Sequence, residues 1–373
     1  MNDSHKPRIV AYYLPQYHPT KHNDEWWGKG FTEWTNVGKA KRLFPGHYQP
    51  RVPADLGYYD LRLAAAREAQ ASLAKEAGIE GFCYYHYWFG EGREELEFPF
   101  DEVVNSGSPD LPFCLCWANE SWHSKFWNKD GKAFSKKVLV EQKYCGSADN
   151  ERHFYRLLSA FSDNRYIKIK GRLLFVIYKP LEFHALRDFI KQWNDLAIKN
   201  DLPGFYFVGV LQGSFEFTDD IISQYMDIGL DGINIIRMKD AMVRRSVMKK
   251  IIDKASSVLL KMPRIVSYKK ASKYFVGDKE LRENVFPTII PNWDHSPRSG
   301  RGAFIITNST PALFAKHIDD VFNAIKHKNN KLIFLKSWNE WGEGNYMEPD
   351  LVFGKQYVET LKSKVDAFNE RDN

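Results

Sequence analysis

Residues 331–344 read KLIFLKSWNEWGEG, and the fold turns on this stretch. Its first half is a short apolar run of strand length. Its second half is a turn of Trp, Asn, Glu and Gly, residue types that end a buried strand rather than prolong it. An apolar strand that stops abruptly in chemically capable residues suits a parallel barrel, whose active sites lie at the C-terminal ends of the strands.

Working back from it, seven earlier runs share the pattern: 8–13 (RIVAYY), 81–89 (GFCYYHYWF), 113–119 (FCLCWAN), 172–178 (RLLFVIY), 205–211 (FYFVGVL), 232–236 (GINII) and 285–291 (VFPTIIP). Helical patterns separate them, the first expected over 59–77, before Gly78, and the last over 354–368. Strand–helix alternation imposes parallel pairing and right-handed crossovers. Eight such units spread along the chain predict an α/β fold, a single (β/α)8 TIM barrel with long βα loops forming an aromatic-rich cleft. No G-x-G-x-x-G follows any strand, which weakens the open dinucleotide-binding sheet. With no low-complexity linker and no internal repeat, residues 1–373 read as one catalytic domain with a core of about 8–368.

Composition agrees with an enzyme that handles flat ligands. Hydrophobic residues make up 43% of the chain, enough for a sizeable core, and charged residues 27%. Aromatics reach 15% and gather in short clusters with polar residues. Sugar rings present C–H faces that stack on such clusters, although a large core accounts for part of the count. The net charge of +6 is modest for 373 residues and implies no nucleic acid. Positive charge concentrates between Arg237 and Lys273, where Arg244, Arg245, Lys249, Lys250 and Lys254 alternate with Ile251, Ile252, Val258 and Leu259. This reads as an amphipathic helix, either the solvated outer face of a barrel helix or a peripheral contact with an anionic membrane or acidic glycan. Cys83, Cys114, Cys116 and Cys145 match no zinc spacing and read as free thiols, mostly buried. The first residues carry no apolar signal core and no run reaches transmembrane length, so the expected location is cytoplasmic.

Reading the strand ends in order collects the polar-aromatic clusters on one rim. The first offers Tyr12, Tyr13, Gln16, Tyr17 and His18, with Trp34 in the following loop. The second offers Tyr85, His86 and Trp88; the third Trp117, Asn119 and Glu120; the fourth Tyr178. The seventh ends in Asn292, Trp293 and Asp294, and the eighth in Trp338, Asn339, Glu340, Trp341 and Glu343, with Tyr346 just beyond. Any one cluster also suits a structural barrel cap, since Tyr and Trp bury a ring while keeping a polar tip. Glu340 and Glu343 are the expected catalytic residues, the rest a substrate-binding surface. Two carboxyls in a dry aromatic pocket push their pKa values apart, so that one holds a proton near neutral pH. The same two acids also suit a solvated start to the next helix. His18, His86, His123 and His295 match no metal-ligand spacing, and no metal or cofactor is expected.

These motifs carry a family resemblance. IVAYYLPQYHP, EWWGKGFTEW and KSWNEWGEGNYMEP resemble the WbsX family over about residues 8–365. That family is labelled glycosyltransferase because its genes occur in O-antigen and capsular polysaccharide clusters. NEWGEG is also similar to the catalytic segment of glycoside hydrolase family 99, the endo-α-1,2-mannosidases and mannanases. The resemblance implies that Glu340 deprotonates the sugar 2-OH, which attacks the anomeric carbon to give a 1,2-anhydro sugar. It implies that Glu343 protonates the leaving oxygen and later activates water, a departure from the usual nucleophile-plus-acid scheme. Gly342 stands where those mannosidases commonly carry His, and the Tyr-rich first strand differs too. Attack by O2 needs the 2-OH trans to the leaving group, so the resemblance implies an α-linked mannose or rhamnose in a bacterial surface oligo- or polysaccharide. The alternatives are a nucleotide-sugar glycosyltransferase, for which no clear D-x-D motif is present, and a non-catalytic glycan-binding barrel.

Overall fold

The computed structural model describes residues 6–123, 137–213, 217–244, 246, 248 and 262–371. Eight parallel staves form the ring: β1 Arg8–Tyr13, β2 Gly81–Trp88, β3 Phe113–Trp117, β4 Arg172–Ile177, β5 Phe205–Gln212, β6 Gly232–Ile236, β7 in two pieces (Val285–Phe286 and Thr288–Ile289) and β8 Leu332–Leu335. Each stave pairs in parallel with its neighbours in chain order, and β8 returns to β1. Closure passes through Pro287. Proline donates no backbone N–H, and the stave breaks there: the first piece pairs with β6 and the second with β8. The Pro287 carbonyl still accepts from Phe334 N at 3.1 Å, so the wall stays continuous.

The eight runs expected from sequence are thus the eight staves. They are apolar on both faces because helices cover them outside and their own side chains fill the ring. Inside, Tyr12 stacks between Tyr85 and Phe334 at centroid distances of 5.5 and 5.3 Å. Its hydroxyl donates to Asn234 Oδ1 at 2.9 Å, and Asn234 Nδ2 donates to Thr288 Oγ1 at 2.8 Å, so this buried polar chain is satisfied. Outside, helix Leu186–Lys199 turns Phe189, Ile190, Trp193, Leu196 and Ala197 inward at helical spacing. Trp193 packs on Phe175 and Phe205; burial of a large apolar side chain contributes roughly 1.5–3 kcal/mol.

Two helix boundaries differ from the sequence reading. The helix expected over 59–77 is Ala64–Glu76. Leu61 N donates to Tyr17 O at 3.1 Å and Arg62 is bonded to Asp60, so these residues tie down the loop after β1 instead. The last helix is Gln356–Arg371; Gly354 takes a left-handed φ of +53° and stays outside it. A small sheet of Arg264–Ser267, Phe304–Thr307 and Trp293–Asp294 was not foreseen. It leads into a short helix, Ser296–Ser299, that packs on the turn Trp341–Glu343 after β8.

Cys83, Cys114 and Cys116 are buried free thiols and Cys145 is exposed. Among the described residues, no helix is long and apolar enough to cross a membrane. Of the basic amphipathic segment, Arg245, Lys249, Lys250, Ile251, Ile252, Lys254, Val258 and Leu259 lie outside the described residues. Arg244 lies over the Tyr274 ring at 5.7 Å.

Candidate active site

β8 ends at Leu335, and the chain then folds over the mouth of the ring as a hairpin, Asn339–Glu340 pairing antiparallel with Asn345–Tyr346. Asn339 fixes the hairpin to the end of β1: its Oδ1 accepts from Leu14 N at 2.8 Å and its Nδ2 donates to Leu14 O at 3.0 Å. Tyr17 adds a second tie, its hydroxyl donating to Asn339 O and accepting from Trp341 N at 3.1 Å. Trp341 stacks on Tyr346 at 3.7 Å and donates Nε1–H to Glu348 Oε2 at 2.6 Å. These ties hold Glu340 and Glu343 on rigid backbone, as a site for chemistry requires.

The two carboxylates share cations. Arg298 Nη1 donates to Glu343 Oε1 at 2.6 Å and lies 3.8 Å from Glu340 Oε1. Lys336 Nζ donates to Glu340 Oε2 at 3.1 Å. His295 Nε2 is 3.5 Å from Glu343. A third carboxylate, buried Glu33, accepts from Arg298 Nε at 3.0 Å. Burial, and next the Glu343 carboxylate, raise the pKa of Glu340, while Lys336 and Arg298 draw it back. The hydroxyls of Tyr85, Tyr87 and Tyr178 are raised well above the usual phenol range, first by burial. The charge of Glu340 adds to all three shifts, so these hydroxyls lie within its electrostatic reach. Trp122 extends this wall, meeting Tyr87 at 5.0 Å and Trp26 at 5.9 Å.

The other expected site residues divide by face. Tyr85 and Tyr178 join the pocket, and Tyr12 lies beneath it inside the ring. Trp293 borders it, its ring 5.6 Å from Lys336 Nζ. Glu120 is 3.9 Å from Lys179 Nζ, and its charge reaches Tyr87 and Tyr178. Gln16, Trp34, Asn292 and Tyr346 support the surrounding loops: Gln16 O accepts from Glu33 N, Trp34 donates to Tyr59 O, and Asn292 Oδ1 accepts from Tyr346 N. Asp294 is buried against His47 Nε2 and Gln49 Nε2, both at 2.7 Å. Hydrogen bonds and Arg51 outweigh its burial and lower its pKa to about 2.

Several point away from the pocket. Tyr13 donates to Gln70 on helix Ala64–Glu76, and Trp338 packs on Phe82. His86 meets His153 at 2.7 Å, and Trp88 and Trp117 pack on the same His153 ring outside the ring wall. Asn119 braces Lys179 and Tyr144. His18 sits near Asp60 and Arg62, where burial lowers its pKa to about 4. With His123 held at Ser121 O and His295 at Glu343, the four histidines do not meet. Glu33, Arg298 and Lys336 were not among the expected residues. Glu33 could have been found, since it lies within the motif EWWGKGFTEW.

The sequence profile of the family described as Glycosyltransferase WbsX matches residues 9–361. Two proteins of Xanthomonas campestris pv. campestris, both called "Uncharacterized protein WxcX", are 34% and 33% identical over 371 residues, 95% of this chain and 49% of each relative. The chain therefore spans about half the length of these curated relatives. A GH99 endo-alpha-mannosidase from Bacteroides thetaiotaomicron aligns with a TM-score of 0.59 at 11% identity, covering 100% of this chain and 99% of that one. A structure described as "Glycoside hydrolase-like protein" aligns at 0.58 and 14% identity, covering 96% and 94%. At such identities the likeness is one of fold.

Proposed function

We propose that this chain, which belongs to the WbsX glycosyltransferase family, is a retaining glycoside hydrolase or transglycosylase whose residues 1–373 work as one catalytic barrel. The substrate is an α-linked manno-configured residue, mannose or rhamnose, of a bacterial surface polysaccharide. The observation that carries this reading is the pair of buried Glu340 and half-buried Glu343 after β8, both within ion-pair reach of Arg298 and set among tyrosines.

In the first step Glu340 takes the 2-OH proton as O2 attacks C1, and the bond from C1 to the leaving oxygen breaks. Glu343 gives that oxygen its proton. The product is a 1,2-anhydro sugar, formed with inversion. In the second step water, or a hydroxyl of a second sugar, attacks C1 and gives its proton to Glu343, while O2 recovers its proton from Glu340. Two inversions give net retention. A base works best with a pKa near the operating pH, and burial moves Glu340 upward from the ordinary carboxylate value. The aromatic wall of Tyr85, Tyr87, Tyr178 and Trp122 supplies a stacking surface for a sugar ring.

The test is incubation with α-mannan and α-rhamnan oligosaccharides and mass analysis of products, for the parent and for Glu340→Gln and Glu343→Gln. Turnover lost in both variants supports the reading; turnover kept in both ends it. The family description favours a second reading, transfer from a nucleotide sugar. Calorimetry against nucleotide sugars separates the two, since tight diphosphate-dependent binding belongs to a transferase.

A further inference from the structure

We propose that Glu33 and Arg298 are positioning residues for the carboxylate pair, with Glu33 fixing where the Arg298 guanidinium sits and Gly342 kept bare to admit Glu33. This rests on the reading of Glu340 and Glu343 as the reacting groups. Glu33 begins the short helix Glu33–Gly38, capped by Thr32 and joined to the β1 loop by its N–H, which donates to Gln16 O at 3.1 Å. It is 3% exposed, and both its oxygens are used. Oε1 accepts from Asn36 Nδ2 at 2.9 Å, and Oε2 from Arg298 Nε at 3.0 Å.

The approach to the turn after β8 is close. A Cβ on residue 342 would stand 1.9 Å from Glu33 Oε2 and 3.1 Å from Arg298 Nε. Any side chain there and the Glu33 carboxylate exclude one another. The guanidinium is a rigid planar fork, so a carboxylate holding its Nε edge dictates where Nη1 points. It points at Glu343, 2.6 Å away, and stays 3.8 Å from Glu340. Without Glu33, Arg298 is free to straddle both, and its unequal contact with the two carboxylates is lost. The other groups facing this cluster include Lys336 beside Glu340, His295 beside Glu343, Lys39 near Glu33, and Tyr17, Tyr85, Tyr87 and Tyr178.

The test uses the full chain with its Glu side-chain carboxyls labelled with carbon-13 and titrated by NMR. Glu33→Gln keeps the shape and removes a negative neighbour, leaving more of the Arg298 charge for the pair. Glu340 then titrates lower, by about one pH unit, as expected for a change of one nearby charge. A steric cycle complements it. Gly342→Ala lowers the melting temperature of the parent but has little effect in Glu33→Ala, where the space is open. If Glu33→Gln does not fold, the double variant Glu33→Ala/Gly342→Ala, whose methyl refills the gap, serves for the same titration. An unchanged Glu340 titration, or an equal Gly342→Ala penalty in both backgrounds, overturns the proposal. Neither readout depends on turnover, so a failure of the catalytic reading would show separately, in the Gln variants of Glu340 and Glu343.

Discussion

Lys336 Nζ lies 3.1 Å from Glu340 Oε2 across the end of β8, with the two side chains only 4% and 8% exposed. The ammonium is the nearest positive charge to Glu340, since Arg298 is 3.8 Å away and engaged with Glu343. Its removal leaves a buried carboxyl beside a like charge.

Lys336→Met is therefore expected to raise the pKa of Glu340 further, by about one unit for the loss of an adjacent opposite charge. In its proposed role as base, Glu340 must be ionised, so kcat/KM on the acid side should fall on the order of tenfold and recover as pH rises. A pH–rate profile of the variant checks this. A uniform loss at all pH values would mean that Lys336 acts on shape alone.

The parent enzyme has a matching signature. Because the folded-state pKa of Glu340 is raised above 4.5, the rising limb of kcat/KM should lie above the ordinary carboxylate range. Activity is lost as pH falls through that limb. A limb at or below 4.5 would remove Glu340 from the role of base.

The sequence made the staves legible and the site only half so. Every stave is a short apolar run between helices, which parallel pairing within a covered ring demands. The aromatic clusters misled because side chains alternate along a strand. In GFCYYHYWF, Tyr85 and Tyr87 face the pocket, whereas Tyr84, His86 and Trp88 pack toward the outer helices. On β1 the same alternation divides Tyr12 from Tyr13. Arg298 was invisible for another reason: its partners Glu33 and Glu343 are separated from it by 265 and 45 residues. The small sheet ahead of it carries Arg298 to the other two.

Glu348 should leave a trace in stability. It is fully buried behind Trp341 and accepts from Trp341 Nε1, Gln70 Nε2 and Tyr59 OH, yet burial outweighs these donors and raises its pKa to about 7. The native state thus holds a proton that the unfolded chain has released between about pH 4.5 and 7, and stability falls as pH rises through that window. At 1.36 kcal/mol per unit the loss is on the order of 3 kcal/mol. Chemical unfolding midpoints from pH 5 to 8 should decline in the parent and stay flatter in Glu348→Gln. Equal slopes in the two would rule Glu348 out as the source.

Gly344, directly after Glu343, gives the sharpest separation of backbone from function. Its φ is +55°, and a Cβ would stand 2.7 Å from Asp294 Cβ and 3.0 Å from Asp294 N. Gly344→Ala therefore meets the left-handed penalty of about 1–2 kcal/mol and a wall held by His47 and Gln49. The turn must shift to relieve the contact, and Glu343 shifts with it. A displacement near 1 Å at a reacting group costs up to about a hundredfold in rate. Gly171 is the control: its φ is +77° with nothing within 4 Å of its Cβ, and it lies at the entry to β4, opposite the site. Gly171→Ala should lower the melting temperature and leave kcat/KM intact, whereas Gly344→Ala should lower both. Equal kcat/KM in the two variants would mean that Glu343 does not take its position from the Asp294 wall.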